Sequence, residues 1–235
     1  MLTISFVRKA SCGALLSLLG ASAGAQVGHL PDHSPYRDVA IKHSLTYFGG
    51  YYTAGKDPAG VAPTSAPMVG ARYAIRLGGP VYFTGRLAGV FSERDVVDPS
   101  LPTAQRRQGT TSVPLMFGDL GFDLVLTGAK SWHSLQPAIN ASVGLAADLS
   151  GKTDKSQYRV GIPFLLAYGP SLRIVPGGKW SWRLDLIDHY FRIRYPESYF
   201  LKTGPDSTFL PPNGKRTLWR HNWATTLGVS VALFR

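Results

Sequence analysis

The sequence predicts an all-β fold, an eight-stranded antiparallel up-and-down transmembrane β-barrel. Three observations predict it. Hydrophobic residues recur with period two in eight separate runs, the spacing of strands with two unlike faces. The connections between runs alternate between tight Gly/Pro turns and long polar loops. The composition is 44% hydrophobic but only 17% charged, with a mean hydropathy of −0.01. That charged fraction is below the roughly 25% usual in soluble domains. Yet the chain contains no apolar run of the roughly 20 residues that a membrane helix needs.

Length and composition exclude several classes. The 235 residues suit one moderate domain or one large all-β domain. Eleven Phe, five Trp and eleven Tyr, with few charges, argue against disorder. The single Cys, Cys12, rules out a disulfide framework and a thiolate zinc site. No phosphate loop, dinucleotide motif or Cys/His metal spacing occurs, so no cofactor is expected.

The elements follow in chain order. Met1–Ala25 reads as a signal peptide: Arg8 and Lys9, then the short apolar stretch Ala10–Leu19, then Ala23-Gly24-Ala25 before Gln26 as a small-x-small cleavage site. Its removal takes Cys12 with it and lowers the formal charge from +11 to +9. Residues 26–40, with Pro31 and Ser34-Pro35, read as a polar periplasmic leader, and residues 41–235 as the barrel. The first run, Ile41–Tyr52, aligns Ile41, Leu45, Tyr47 and Tyr51. The second sets Val69, Ala71, Tyr73, Ile75 and Leu77 against Gly70, Arg72, Ala74 and Arg76. The third spans Val81–Ser92. The fourth alternates Leu120, Phe122, Leu124 and Leu126 with Asp119, Gly121 and Asp123. Leu135–Leu145, Phe164–Ile174, Trp182–Leu186 and Trp223–Leu233 complete the eight. Gly78-Gly79-Pro80, Gly128–Ser131 and Pro176–Lys179 are the tight turns. Thr53–Ala66, Glu93–Gly109, Ser150–Gln157 and Pro196–Lys215 are the long loops. The alternation places all four long loops at one end and both termini at the other.

Period two alone does not say which face meets water. A soluble ligand-binding barrel turns the apolar face inward, and a membrane barrel turns it to lipid. Run length favours lipid, because most runs reach the roughly 9–11 residues a tilted strand needs to cross a bilayer. The minor face offers Gly, Ala, Ser, Asn and isolated Arg and Asp, with almost no Lys or Glu, which suits a narrow polar lumen. Aromatics cluster at both ends of the runs: Tyr82, Phe83, Trp132, Trp180 and Trp182 by the short turns, and Tyr51, Tyr52, Phe91, Tyr158, Tyr190, Tyr195 and Trp219 toward the long loops. Two interfacial girdles require such groups. The export signal and a thiol-free mature chain suit an oxidising periplasm. In lipid the sheet must close, so the first and last runs must pair.

The closing stretch, Thr226-Leu-Gly-Val-Ser-Val-Ala-Leu-Phe234, places Thr226, Gly228, Val231, Leu233 and Phe234 in a polar, glycine and alternating-hydrophobic order. It resembles the C-terminal strand signal of small OmpA/OmpX-type outer-membrane barrels, with Arg235 added after Phe234. Trp182–His189 is similar to their penultimate strand. The resemblance implies a monomer in the bacterial outer membrane, inserted by the barrel assembly machinery, and no particular activity. No periplasmic domain is expected after Phe234.

On this register the lumen holds Arg72, Arg76, Arg86, Asp119, Asp123, Arg173, Arg183 and Asp185, expected to pair across strands into an ion-pair plug. Lys152, Lys155, Arg159, Lys215, Arg216 and Arg220 lie in or beside long loops, placed to meet lipopolysaccharide phosphates. Export and lumen burial argue against nucleic acid despite a pI near 9.9. Tyr199, Phe200, Phe209 and Leu210 either form a binding surface or pack over the barrel mouth. For catalysis, His43-Ser44 and His133-Ser134 are strand neighbours that face apart. His189, near Asp185 and Asp188, is a better general-base setting, but no serine matches it. The expected role is structural or adhesive, without enzymatic activity. The alternatives are a barrel transporting small solutes or hydrophobic ligands and a lipid A-modifying barrel enzyme.

Overall fold

The computed structural model describes residues 34–151, 158–202 and 206–234. The segment read as a signal peptide, most of the expected leader, Lys152 and Lys155 lie outside them. Every strand described below lies within the unit Tyr36–Arg235.

Eight strands form a closed antiparallel barrel: β2 (His43–Thr53), β3 (Ala66–Gly78), β4 (Val81–Val90), β7 (Leu115–Val125), β9 (Leu135–Asp148), β10 (Phe164–Gly177), β11 (Trp180–Arg194) and β13 (Trp223–Phe234). Each pairs with its neighbour in the barrel, β7 directly with β9 although a short strand lies between them in sequence, and β13 closes onto β2. Strands of 10 to 15 residues cover the span a bilayer requires, with length to spare at the long-loop end. Closure leaves no unpaired edge, the condition for backbone in hydrocarbon.

The burial pattern follows the sequence period. Leu87, Leu120, Phe122, Leu124, Ile139, Val143, Leu184, Leu186 and Leu227 point outward and are 42–57% exposed. Arg72, Arg86, Asp119, Asp123, Arg183 and Asp185 point inward and are at most 8% exposed. A sheet with charges inside and leucines outside is stable only with lipid against the leucines. No helix among the described residues is long and apolar enough to cross a membrane, so any crossing is made by strands.

Five short strands lie outside the barrel wall, and several depart from expectation. The chain joins the sheet before Ile41: β1 (Tyr36–Asp38) pairs with β8 (Lys130–Trp132), built into the turn between β7 and β9. Val39 and Ile41 then pack with Ala232 at the short-turn end. This end of the leader is therefore part of the sheet, because its backbone finds partners in an unusually long turn. His133 and Ser134 sit in that turn with left-handed backbones rather than on a strand. The loop expected over Glu93–Gly109 contains a hairpin, β5 (Glu93–Val97) with β6 (Arg107–Ser112). The last loop returns as β12 (Thr217–Arg220), which extends the sheet from the upper part of β11.

The interior is divided into two layers, where a uniformly polar lumen was expected. In the short-turn half the inward positions are mostly polar: Ser44, Thr46, Arg72, Thr84, Arg86, Asp119, Asp123, Asn140, Ser171, Arg173, Arg183 and Asp185, with a small apolar cluster of Ala74, Tyr82, Val125 and Ala138 toward the turns. In the long-loop half the same faces carry Phe48, Tyr52, Met68, Val90, Leu115, Phe117, Leu165, Ile187, Phe191 and Ile193, one continuous apolar cluster. Loop residues Val61, Tyr158, Tyr195, Tyr199, Phe200 and Leu210 join it from above. Four aromatics assigned to the girdles therefore belong inside: Tyr52, Tyr82, Tyr158 and Tyr195 are at most 3% exposed. Tyr52 and Tyr82 occupy inward positions of β2 and β4, whereas Tyr51, Phe91, Trp132, Trp180, Trp182 and Trp219 are 43–62% exposed and keep girdle places.

Candidate functional site

Three features bear on function: the charged layer of the lumen, the cap over it, and the outer rim.

The charged layer centres on Asp123. Arg72 Nη2 donates to Asp123 Oδ1 at 2.5 Å, Arg183 Nη1 reaches Oδ2 at 3.0 Å, and Asn140 Nδ2 donates to Oδ1 at 2.9 Å. Arg183 Nε also donates to Asp185 at 2.8 Å, and Arg72 Nη1 stands 3.8 Å from the same carboxylate. Arg86 Nε donates to Asp119 at 2.9 Å, opposite it in the β4–β7 register. These groups come from β3, β4, β7, β9 and β11, so the network ties together strands that are not neighbours. Arginine suits it, because a planar fork can serve two carboxylates at once. Six of the eight expected lumen residues are thus joined in ion pairs. Arg173 lies inside but binds no carboxylate; its Nη2 reaches Ser44 Oγ at 3.4 Å and its guanidinium sits 5.6 Å from the Tyr82 ring centre. Arg76 is a correction. It stands at the short-turn rim, where Nε donates to the Gly79 carbonyl at 3.2 Å, too near the barrel end to meet an inward carboxylate.

The cap is held by polar groups of the loops, of which Arg106 and Arg220 are buried. Asp57 accepts backbone N–H bonds from Ala59, Val61 and Ala62 at 3.1, 2.7 and 2.7 Å, and the Tyr195 hydroxyl. Arg220 donates to the carbonyls of Gly55 and of Pro63, the latter at 3.1 Å. Arg106 links Leu101 and Ser207, and Asp206 accepts from the Thr103 N–H at 2.6 Å. Tyr199 and Phe200 are at most 3% exposed, so they pack over the mouth and do not display a surface. Burial and the neighbouring Asp57 raise the hydroxyl pKa of Tyr158, and burial with the Asp57 hydrogen bond raises that of Tyr195. Both stay neutral donors at any physiological pH.

Arg220 is the second correction. It is 5% exposed and spends its donors on loop carbonyls, which removes it from any lipopolysaccharide contact. Arg159, Lys215 and Arg216 remain on the surface. Arg216 binds Glu197 through two bonds of 2.9 and 2.8 Å and lies 4.9 Å from the Phe200 ring centre. Arg159, Arg194, Tyr195, Pro196, Glu197 and Arg216 line a surface cleft of about 360 Å³. Arg194 was missed by sequence reading, as was Arg192. Both continue the outward face of β11 beyond Leu186, through Asp188 and Tyr190, and both are exposed. The alternation was legible there, had the run been followed past Leu186. On this face β11 passes from tryptophan and leucine, through Tyr190 stacked on Trp219 at 5.0 Å, to arginine.

The histidine reading also changes. His189 is fully buried, stacked on Phe117 at 4.8 Å, with neither ring nitrogen hydrogen-bonded. It faces the apolar layer and meets no substrate. Its neighbour Asp188 points to the opposite face, as strand alternation requires. There Oδ1 accepts the Asn222 N–H at 3.0 Å and Oδ2 pairs with His221 Nδ1 at 2.5 Å. His221 is 58% exposed, while Asp188 is only 1% exposed. The pair's hydrogen bonds include no serine or threonine hydroxyl. Among the described residues no cluster of three or more His, Cys, Asp or Glu is placed to hold a metal.

The residues assigned to the assembly signal form the closing seam. Thr226 and Gly228 face inward on β13, and Leu233 and Phe234 face out, 46% and 63% exposed. Gly228 lies against β2, where an added Cβ would stand 2.8 Å from the Tyr47 carbonyl and from Thr46 Cγ2. Phe234 meets His43 edge-on at 5.2 Å across the β13–β2 pair.

In sequence the chain matches no protein-family model and none of the curated proteins. In structure it is similar to the outer membrane protein OprG from Pseudomonas aeruginosa, with a TM-score of 0.52 and 10% identity, over 82% of this chain and 97% of that one. Neisserial surface protein A follows with a TM-score of 0.48 and 12% identity, over 81% of this chain and 97% of that one. With OprG the chain shares the architecture of small OmpA/OmpX-type barrels, as its closing strand suggested.

Proposed function

We propose that the chain is a monomeric, closed outer-membrane barrel that acts through its external surface and not as a conduit. The observation that carries this reading is the Asp123 hub, whose two arginines and asparagine join four strands across the lumen. The apolar layer and folded cap above it support the same reading. The export signal, the lipid-facing leucines and the OprG fold support the outer membrane as its location. The barrel assembly machinery would insert it, reading the Thr226–Phe234 strand. With the long loops outward, the exposed arginines around the cleft, Arg159, Arg194 and Arg216, together with Arg192 and Lys215, would be the groups to meet lipopolysaccharide phosphates. Guanidinium groups bind such oxygens through paired N–H bonds. Planar bilayer recording tests the closed lumen: steady large channels would remove this reading in favour of transport. Fractionation tests the location, because a folded barrel sediments with outer membranes and shifts in gel mobility on boiling.

A second reading has one observation in its favour. The buried Asp188 orients an exposed His221 at the lipid-facing rim, an arrangement that suits a general base. A lipid A-modifying activity would therefore use His221 and not His189. A lipid A mass spectrum that is unchanged on expression, or changed equally by the His221→Ala variant, removes it.

A further inference from the structure

The short-turn end of the barrel carries charge of nearly one sign. Its described cations are Arg37, Lys42, Arg76, Lys130 and Lys179, and its only described carboxylate is Asp38. The connections distribute them around the barrel. Arg37 and Lys42 lie in the segment that leads into β2, Arg76 borders the β3–β4 turn, Lys130 begins β8 between β7 and β9, and Lys179 stands in the β10–β11 turn. Every described connection at this end thus contributes a cation, and the result is a ring. Asp38 stands opposite Lys130 in the β1–β8 register and offsets one of the five. None of the five is in an ion pair among the described residues, whereas at the long-loop end Arg107 meets Asp95 and Arg216 meets Glu197. Arg37, Lys42, Lys130 and Lys179 are exposed, and Arg76 is half-buried. The ring also adjoins the aromatic girdle of its end. Lys179 precedes Trp180, Lys130 stands two residues before Trp132, and Lys42 precedes His43, whose ring packs on Phe234. Trp132, Trp180 and Phe234 are 45%, 61% and 63% exposed.

We propose that this ring is an interaction surface for anionic phospholipid headgroups, of the phosphatidylglycerol class, in the leaflet at the short-turn end. Interfacial tryptophans sit at the level of the headgroups. Lysine and arginine stems carry their charges outward from that level while their methylenes stay on apolar surface. The ring therefore stands where lipid phosphates stand. It has no pocket and needs none, because a cation near an anionic membrane surface is attracted by the field of many headgroups, within a Debye length. Cations without carboxylate partners serve this best, since no neighbouring charge cancels theirs. The tryptophans also decide between a lipid and an acidic protein: they hold the ring at the bilayer surface, where headgroups are always in reach. The inference rests on the reading that the chain spans a membrane and is independent of what the long loops bind.

The test uses the chain refolded into vesicles, with its own tryptophans as reporters. Trp219→Phe and Trp223→Phe together leave only Trp132, Trp180 and Trp182, all at the short-turn end. Fluorescence quenching by phosphatidylglycerol with brominated acyl chains is compared with quenching by brominated phosphatidylcholine in the same host lipid. The expected result is a preference for the anionic lipid of about fivefold at low salt. That preference should fall toward unity at about 0.5 M sodium chloride, where the Debye length is about 4 Å. It should also be lost when Arg37, Lys42, Lys130 and Lys179 are all replaced by glutamine. Equal quenching by the two lipids at low salt, or an unchanged preference in the glutamine variant, overturns the proposal. Loss of the preference on adding inorganic phosphate at constant ionic strength also overturns it, in favour of a site for the free anion. If the glutamine variant does not fold, the salt dependence of the parent chain decides alone. Quenching by brominated phosphatidylcholine reports insertion itself, so a failed headgroup preference and a failed membrane reading are distinguishable.

Discussion

Replacing Asp123 with asparagine keeps the shape of the lumen and deletes its central charge. Three donors converge on the native carboxylate, Arg72 at 2.5 Å, Arg183 at 3.0 Å and Asn140 at 2.9 Å. Both oxygens are used, and both arginines are at most 3% exposed. An asparagine offers one acceptor where two are needed and turns an NH2 toward a guanidinium. Hydrogen bonds to charged groups contribute about 1.5–3 kcal/mol each, so two weakened ones give about 3–6 kcal/mol. Breaking a buried ion pair from one side costs about 3–5 kcal/mol by mutational precedent, in agreement. Arg183 retains Asp185 at 2.8 Å, which holds the expected loss near the lower end, about 3–4 kcal/mol. Urea unfolding of the refolded barrel in lipid vesicles, followed by tryptophan fluorescence and gel mobility, measures it. Arg72→Met in the Asp123→Asn background should recover part of the loss, since it removes a cation left without its main partner. A loss under about 1 kcal/mol would mean that water screens the hub, and the plug argument would fail.

Other outcomes follow from single contacts. Arg220→Ala removes the ties to the Gly55 and Pro63 carbonyls, so limited proteolysis should cut the loops faster while the barrel core stays protected; cleavage within strands would contradict a separable cap. Gly121→Val should prevent folding, because a side chain there would overlap Ser142 and the Ala141 carbonyl of the adjacent strand; refolding yield on a gel reads this directly. Arg216 holds the Glu197 carboxyl below its usual range through hydrogen bonds. A depressed carboxylate stabilises above its unfolded pKa of about 4.3, and that contribution is lost as pH falls through the folded value. Both side chains are more than half exposed, so acidification should release this contact without measurable change in barrel melting. A large drop in melting temperature that Glu197→Gln abolishes would contradict that.

Much of the fold was legible because a strand's two faces are a local property. Leu120 and Phe122 face lipid, and Asp119 and Asp123 face the lumen, as the period of two requires whatever the partner strand is. The same rule placed Arg72, Arg86 and Arg183 together inside. It failed at Arg76, where position along the strand mattered more than parity: the residue has the inward parity but sits at the rim. Tyr52 and Tyr82 obey the rule, and their inward parity is what takes them out of the girdles. Arg220 was misread for a related reason, and Tyr199 stayed undecided between surface and cap. Their burial depends on segments more than a hundred residues away: Arg220 binds Gly55, and the loop carrying Tyr199 is tied to Thr103 and Arg106.

The sequence by itself determined that eight amphipathic strands must close on themselves, with lipid on one side and charge on the other. Alternation gives the two faces, run length and the small polar minor face favour lipid, and the cost of unpaired backbone in hydrocarbon then requires closure. Only the tertiary structure decided which arginine meets which aspartate, because pairing depends on stagger between strands distant in sequence. The fold therefore made Asp123 a hub, left Arg173 without a carboxylate, and gave Asp188 to His221 instead of its neighbour His189.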